Sequence, residues 1–227
     1  MGSYGQFSRI LSIILGSEIT YASTSKGKES ASGQLTIDEI IDFYRMKKLN
    51  KNTKIVGLIG NPIEHSWSYI MYNSAFEHSD INAVCLKFRV DKLKEFIDYF
   101  KKLNNTLGFS VTIPHKIEVI KYLDRIDKKA KEIGAVNTIV VKNNKLVGYN
   151  TDCDGAILAL KTKTNLKNKN VVLLGAGGST RALVYGLVEE KVSSITIVNR
   201  TVEKAKLIAD DFNCDYGSLN ELENIDY

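Results

Sequence analysis

The stretch "VVLLGAGGSTRA", residues 171–182, decides the fold of this 227-residue chain. Its apolar residues predict a buried strand, and its glycines stand where a helix is predicted to begin. Glycines there permit a tight turn and let a pyrophosphate approach the free N–H groups of the helix. The cofactor-binding candidates of this turn are Gly175, Ala176, Gly177, Gly178 and Ser179. Thr180 replaces the last glycine of G-x-G-x-x-G, and a glycine-rich turn without a ligand remains the alternative.

The segments that follow the glycine turn continue the alternation of predicted helices and strands. "STRALVYGLVEE" predicts a helix, "SSITIVNRT" a strand and "VEKAKLIADDF" a second helix. Strands that alternate with helices indicate a parallel sheet with right-handed crossovers. We therefore predict an α/β protein whose residues 153–227 form a C-terminally incomplete Rossmann nucleotide-binding domain.

The end of the next predicted strand indicates which nucleotide binds. A cofactor with a free ribose 2′-hydroxyl usually meets an Asp or Glu about 20 residues after the glycines. This chain has Asn199, Arg200 and Thr201 there, with Lys204 one helical turn later. Arginine pairs well with a phosphate, so NADP is favoured over NAD. A solvated surface arginine is the alternative.

Upstream, the chain predicts a further α/β segment after a polar link at 48–54. "KIVGLIG", "AVCLKFRV" and "LGFSVT" are the predicted strands, and helices are expected over 69–78, over 91–103 with Asp91 as its cap, and from Pro114. Asn143-Asn144 indicates a hairpin. Near the N-terminus, "EITYAS" predicts a short strand, and Thr36 with Glu39 forms the capping-box pattern of a helix.

Small polar and charged residues stand at the loops of this segment, in "HSWS", "TIPHK", "GAVNT" and "GYNTD". Loops at strand ends are where α/β proteins bind ligands, and hydroxyls, an amide and a Lys–Asp pair suit a small polyhydroxy acid. Each residue also has a plain alternative, such as a helix cap, a loop hydrogen bond or a solvated charge. The candidate substrate-binding residues are Ser66, Ser68, Thr112, Lys116, Asn137 and Asp152.

Composition narrows the function classes. The net charge of +5 is spread along the chain without a basic stripe interleaved with aromatics, so we expect no nucleic-acid partner. The three cysteines have neither zinc spacing nor a disulfide pattern, and the three histidines form no ligand set, so we expect no metal. No apolar run reaches the roughly 20 residues of a membrane helix, and the start does not resemble a secretory signal. A cytoplasmic location is expected.

Taken together, "GNPIEHSWS", "GFSVTIPHK", "GAVNT", "YNTDCDG", "GAGGSTRA" and "NRTVEKA" resemble the shikimate dehydrogenase family over about residues 54–227. The resemblance implies a substrate domain at 54–152, the NADP domain at 153–227, and reversible NADP-dependent reduction of 3-dehydroshikimate to shikimate. It implies that Lys116 and Asp152 are the catalytic pair. The chain departs from the family pattern at Tyr69, Ser110 and Tyr72.

Residues 1–48 resemble the end of a second family, the type I 3-dehydroquinate dehydratases, which are (β/α)8 barrels. "MGSYGQFSR", "ITYAS" and "ESASGQ" carry this resemblance. It implies that Arg9, Ser30 and Gln34 descend from the substrate site of that enzyme. Some plant and bacterial enzymes fuse the two activities in this order, and a plant-type enzyme would reside in a plastid.

We therefore expect an internal part of a bifunctional enzyme whose residues 1–227 alone turn over weakly or not at all. The alternatives are a dehydratase function, a non-catalytic nucleotide-binding module and a quinate dehydrogenase. The sequence predicts a small-molecule substrate and no particular oligomeric state.

Overall fold

The computed structural model describes residues 2–220 of the chain. Contacts between Cα atoms divide the chain into two compact units. The first unit comprises residues 1–115 and 139–146, and the second comprises 116–138 and 147–227. The domain boundaries expected from the sequence, 54–152 and 153–227, remain a prediction.

The first unit is built around parallel strands and the helices between them. Its elements are α1 (Ser8–Ile14), β1 (Lys54–Gly60), α2 (Ser68–His78), β2 (Ala83–Arg89), α3 (Leu93–Phe100) and β3 (Thr106–Val111). β1 lies between β2 and β3 and is parallel to both. Because a central strand is covered on both faces, Ile55, Leu58 and Ile59 of β1 are buried.

A helical stretch and a hairpin complete the upstream part of the chain. The elements are α4 (His115–Glu118), which continues as a 3-10 turn over Val119–Tyr122, then β4 (Arg125–Ile126), α5 (Lys128–Ile133), β5 (Thr138–Lys142) and β6 (Lys145–Tyr149). Asn143 and Asn144 both have positive φ, as the predicted two-residue hairpin turn requires. The sheet has the strand order β2-β1-β3-β5-β6-β4.

Gly108 of β3 lies directly against the backbone of β5. A Cβ atom at this position would lie 2.0 Å from the carbonyl oxygen of Ile139 in β5. No side chain fits there, because real Cβ atoms do not approach other atoms so closely. The glycine of "GFSVT" is therefore a packing requirement of the sheet.

The second unit holds the nucleotide-type sheet that the sequence predicts. Its further elements are α6 (Asp152–Lys161), β7 (Asn170–Leu174), α7 (Gly178–Glu189), β8 (Ser194–Asn199), α8 (Val202–Phe212) and β9 (Asp215–Ser218). The three strands are parallel in the order β7-β8-β9. Apolar residues of the helices and strands form one core, including Ile157, Val184, Leu187, Ile197 and Ile208. The α/β prediction with a Rossmann-type unit is confirmed.

The N-terminal segment differs from the sequence prediction. Residues 8–14 form a helix that the prediction missed, although Ile10, Leu11 and Ile14 are buried at helical spacing. The strand expected in "EITYAS" is wrong, because that stretch makes only an isolated bridge between Ser23 and Thr36. Nonlocal backbone pairing, which local propensity does not reveal, decides whether such a stretch becomes a strand.

The two helix N-termini for which the sequence predicted a side-chain cap, at Thr36 and at Asp91, had different outcomes. The capping box is confirmed: Glu39 accepts from the Thr36 N–H at 2.8 Å, and the Glu39 N–H donates to the Thr36 hydroxyl at 3.1 Å. The helix after it is a five-residue π-helix, Glu39–Phe43. The expected Asp91 cap is wrong, since no side chain caps α3 and the Asp91 carboxylate accepts from Asn61 instead.

Candidate functional site

The Lys116–Asp152 pair is formed in the second unit. Lys116 lies in α4, two residues after Pro114, and Asp152 is the first residue of α6. The Lys116 ammonium donates to Asp152 Oδ2 at 2.7 Å, and the two side chains are 12% and 29% exposed. A charge-assisted hydrogen bond of this length, partly shielded from water, is stronger than an exposed ion pair.

Asn137 binds the other oxygen of the same carboxylate. Its amide nitrogen donates to Asp152 Oδ1 at 2.8 Å and to the Thr151 hydroxyl at 2.9 Å. Its amide oxygen accepts from the Thr151 N–H at 2.9 Å. Both carboxylate oxygens of Asp152 are therefore fixed, one by the ammonium and one by the amide. The three residues predicted from separate motifs lie together.

Asn150, which was not among the residues predicted from the sequence, stabilises the position of Asp152 through hydrogen bonds. Its side chain is buried, and its amide oxygen accepts from the N–H groups of Asp152 and Cys153 at 3.0 and 3.2 Å. Its amide nitrogen donates to the Ala135 carbonyl at 2.9 Å. One side chain thus caps α6 and ties it to the loop that carries Asn137. Asparagine ahead of a helix is a capping signal that could have identified it.

The glycine turn contains one residue with positive φ and is closed by a threonine side chain. Gly175 adopts φ +105°, which is accessible to glycine but strained for other residues. The Thr180 hydroxyl donates to the Gly175 carbonyl at 2.9 Å and accepts from the Gly177 N–H at 3.3 Å. Thr180, which replaces the last glycine of the motif, therefore stabilises the turn through these two hydrogen bonds.

Space and polarity at the turn fit the pyrophosphate of a dinucleotide. A Cβ atom at Gly175 or Gly177 would meet no atom within 4 Å, so the space above the turn is open. The first N–H groups of the 12-residue helix α7 lie at the same place, and such groups attract anions. Ser179 is exposed in the first turn of the helix, and its hydroxyl accepts from the Lys116 ammonium at 2.9 Å.

The residues that the sequence predicts to bind the NADP 2′-phosphate follow β8. Arg200, Thr201 and Lys204 are exposed, and the Asn199 amide donates to the Thr201 carbonyl at 2.8 Å. Among residues 2–220 the Arg200 guanidinium makes neither an ion pair nor a hydrogen bond. No acidic residue occupies positions 199–201, where it would repel a 2′-phosphate.

Ser66, Ser68 and Thr112 belong to the first unit. The Ser66 hydroxyl donates to that of Ser68 at 3.3 Å, and Ser68 begins α2 without a side-chain cap. The Ser66 hydroxyl also accepts from the Ser68 N–H at 3.4 Å, so Ser66 contacts the start of this helix as the helix-cap alternative expects. Thr112 follows β3, where its N–H donates to the Ile59 carbonyl at 2.9 Å.

Comparisons with known proteins agree with this geometry. Residues 58–139 match the family described as shikimate dehydrogenase substrate binding domain, residues 157–226 match shikimate / quinate 5-dehydrogenase, and residues 1–51 match type I 3-dehydroquinase. A crystal structure of shikimate dehydrogenase from Aquifex aeolicus is 38% identical, with a TM-score of 0.71, over 78% of this chain and 68% of that chain. The chain belongs to the shikimate dehydrogenase family.

Two relatives illustrate its place in the family. The shikimate dehydrogenase (NADP(+)) of Methanocaldococcus jannaschii is 48% identical over 78% of this chain and 64% of its own length. The chloroplastic bifunctional 3-dehydroquinate dehydratase/shikimate dehydrogenase of Arabidopsis thaliana is 39% identical over 99% of this chain and 40% of its own length. The chain thus spans less than two thirds of the length of both relatives.

In this shikimate dehydrogenase family chain, the candidates implied by the dehydratase resemblance form hydrogen bonds within the N-terminal segment. These candidates are Arg9, Ser30 and Gln34. Arg9 is only 7% exposed, and its guanidinium donates to the carbonyls of Gly33 and Tyr21, each at 3.1 Å. Gln34 accepts from the Ser30 N–H at 2.8 Å and from the Ser30 hydroxyl at 3.2 Å. The Arg9 guanidinium therefore fastens the 21–33 loop to α1.

The cysteines are poorly suited to nucleophilic chemistry. Burial raises the pKa of the Cys85 thiol to about 12, and it also raises the pKa of Cys153 and of Cys214. The thiolate is the reactive form, so these side chains act as small apolar groups. Over residues 2–220 no cluster of His, Cys, Asp and Glu could hold a metal ion. Within the same range no helix is long and apolar enough to span a membrane.

Proposed function

We propose that the chain supplies the substrate and cofactor sites of an NADP-dependent shikimate dehydrogenase, which interconverts shikimate and 3-dehydroshikimate. The observation that supports this proposal most strongly is the 2.7 Å hydrogen bond between Lys116 and Asp152. The same ammonium also donates a hydrogen bond to the Ser179 hydroxyl of the glycine turn. A proton-handling pair next to a nucleotide turn is what oxidation of a secondary alcohol requires. A pure nucleotide-binding module has no need of that pair.

The two halves of the reaction divide between the cofactor and the chain. Oxidation removes a hydride from carbon and a proton from the hydroxyl oxygen, and bound NADP supplies the hydride chemistry. In the reduction direction the Lys116 ammonium donates its proton to the developing alkoxide oxygen, and in oxidation the neutral Lys116 amine takes that proton from the hydroxyl. Asp152 orients the lysine, and Asn137 orients Asp152.

Substrate binding is assigned to the remaining polar candidates. We propose that Ser66, Ser68, Thr112 and Asn137 hydrogen-bond shikimate together with Lys116 and Asp152, as the resemblance to the family implies. Small hydroxyl and amide groups can pair with a carboxylate and several ring hydroxyls at once. The preference for shikimate over quinate, and a cytoplasmic or plastid location, stay predictions.

Shikimate binding can be followed through Trp67, the single tryptophan of the chain. It stands between the two serines and is 72% exposed, so a ligand on these hydroxyls changes its surroundings. We expect saturable change in tryptophan emission with shikimate, and about fivefold weaker binding in Ser66→Ala, the loss expected for one hydrogen bond. Ser74→Ala, an exposed serine of the same helix, is the matched control. Unchanged emission together with no heat of binding in calorimetry would refute the substrate assignment.

Cofactor choice is tested at Arg200. We expect Arg200→Ala to weaken NADP+ binding at least about tenfold while NAD+ binding changes little, because a charged hydrogen bond to the 2′-phosphate is lost. Lys206→Ala removes the same charge from an exposed position of α8 and serves as the control. Equal losses for NADP+ and NAD+ in Arg200→Ala would show that the arginine does not read the 2′-phosphate.

A further inference from the structure

We propose that Gly178 and Ser179 of the glycine turn are positioning residues for Lys116, so that one turn serves the nucleotide and the catalytic lysine together. This inference deepens the proposed function and rests on it for the role of Lys116. It assigns to the turn a second task besides phosphate binding.

The first observation is steric. A Cβ atom at Gly178 would lie 2.7 Å from Lys116 Cβ and 3.3 Å from its Cδ. The stem of the lysine therefore occupies the space that any other residue at position 178 would fill. Gly178 has no positive φ, so its conformation does not demand glycine. At this position the reason for glycine is the lysine.

The second observation is a hydrogen bond. Lys116 Nζ donates to Ser179 Oγ at 2.9 Å and to Asp152 Oδ2 at 2.7 Å. The ammonium is thus held between a carboxylate and a hydroxyl from two different helices, α6 and α7. The hydroxyl still has its own proton to donate. A phosphate oxygen over the turn is a suitable acceptor for it.

A consequence for binding follows from these contacts. A serine that accepts from Lys116 and donates to a phosphate links the two groups in one chain of hydrogen bonds, and such chains strengthen their members. A bound nucleotide then holds Ser179, and through it Lys116, more firmly in the position seen here before substrate arrives. We expect NADP+ to tighten shikimate binding about fivefold or more, within the usual range for coupled sites. By reciprocity shikimate tightens NADP+ binding by the same factor.

Chemical labelling of Lys116 tests the positioning without any ligand. In the free chain, limiting acetic anhydride followed by peptide mass spectrometry gives the acetylation rate of Lys116 relative to the exposed Lys121. We expect Ser179→Ala to raise this relative rate about fivefold, because one of the two acceptors that hold the amine is lost. Ser179→Thr keeps the hydroxyl and should restore the wild-type rate. Ser193→Ala, an exposed serine elsewhere in the second unit, should leave it unchanged.

The titration with shikimate then tests the coupling. Wild-type chain should bind shikimate more tightly with NADP+ than without it, and Ser179→Ala should reduce this ratio to near one. Equal Lys116 acetylation in wild type and Ser179→Ala would overturn the proposal. A labelling change in a chain that fails to bind shikimate would instead refute the proposed function and leave the positioning of Lys116 in place. Coupling that survives in Ser179→Ala would overturn the link to the nucleotide.

Discussion

Replacing Lys116 with alanine is expected to lower kcat for shikimate oxidation about a thousandfold, the middle of the range for loss of a positioned acid-base group. The change removes the nitrogen that hydrogen-bonds Asp152 at 2.7 Å and Ser179 at 2.9 Å. Asp152 keeps its hydrogen bond from Asn137, so the carboxylate stays in place without a proton partner. Rates are measured with saturating shikimate and NADP+ in the natural protein that contains these residues.

Two further variants make the Lys116 result specific. Lys121→Ala removes an exposed lysine five residues away and should leave kcat unchanged. Lys116→Gln keeps a polar side chain of similar length but has no ammonium, and it should be nearly as slow as Lys116→Ala. A rate within about threefold of wild type in both Lys116 variants would remove the lysine from the mechanism.

Replacing Gly108 with alanine is expected to lower the free energy of unfolding by at least about 3 kcal/mol, the upper part of the range for overpacking. The added Cβ atom would lie 2.0 Å from the Ile139 carbonyl oxygen, and the backbone on both sides belongs to paired strands. Neither strand can move aside without losing its hydrogen bonds. Urea unfolding followed by circular dichroism measures the change.

Gly155→Ala is the matched control for the Gly108 experiment. Gly155 is exposed in α6, and a Cβ atom there would meet nothing within 4 Å. Alanine in an open helical position should stabilise the fold by about 0.5–1 kcal/mol. Opposite signs for the same chemical change would show that close packing, rather than glycine itself, decides the outcome. Equal, small effects would contradict the close approach at Gly108.

The glycine turn and its flanking strand and helix could be predicted from sequence because their signals are local. Apolar residues, glycines and the helix start are consecutive, and each residue type has a physical reason at its place. The hairpin turn at Asn143-Asn144 and the Thr36–Glu39 capping box were predicted for the same reason. In these cases the residues that interact are at most a few positions apart.

The parts that the sequence did not reveal depend on contacts between distant positions. Asn150 acts through the Ala135 carbonyl, and the Asp91 carboxylate is taken by Asn61 instead of capping α3. The hydrogen bond between Lys116 and Ser179 joins residues 63 positions apart. A Lys–Asp pair was expected from the residue types, but the catalytic role of Lys116 and Asp152 was expected only through the family resemblance. Spacing alone does not say which loops meet.

The most direct test of the central claim is turnover by the natural protein that contains this chain. NADPH formation is followed by its absorbance with shikimate or quinate as substrate and NADP+ or NAD+ as cofactor. We predict a signal that requires shikimate and NADP+ together and that disappears in Lys116→Ala. A folded protein that binds NADP+ but forms no NADPH with either substrate would contradict the account and leave a nucleotide-binding module.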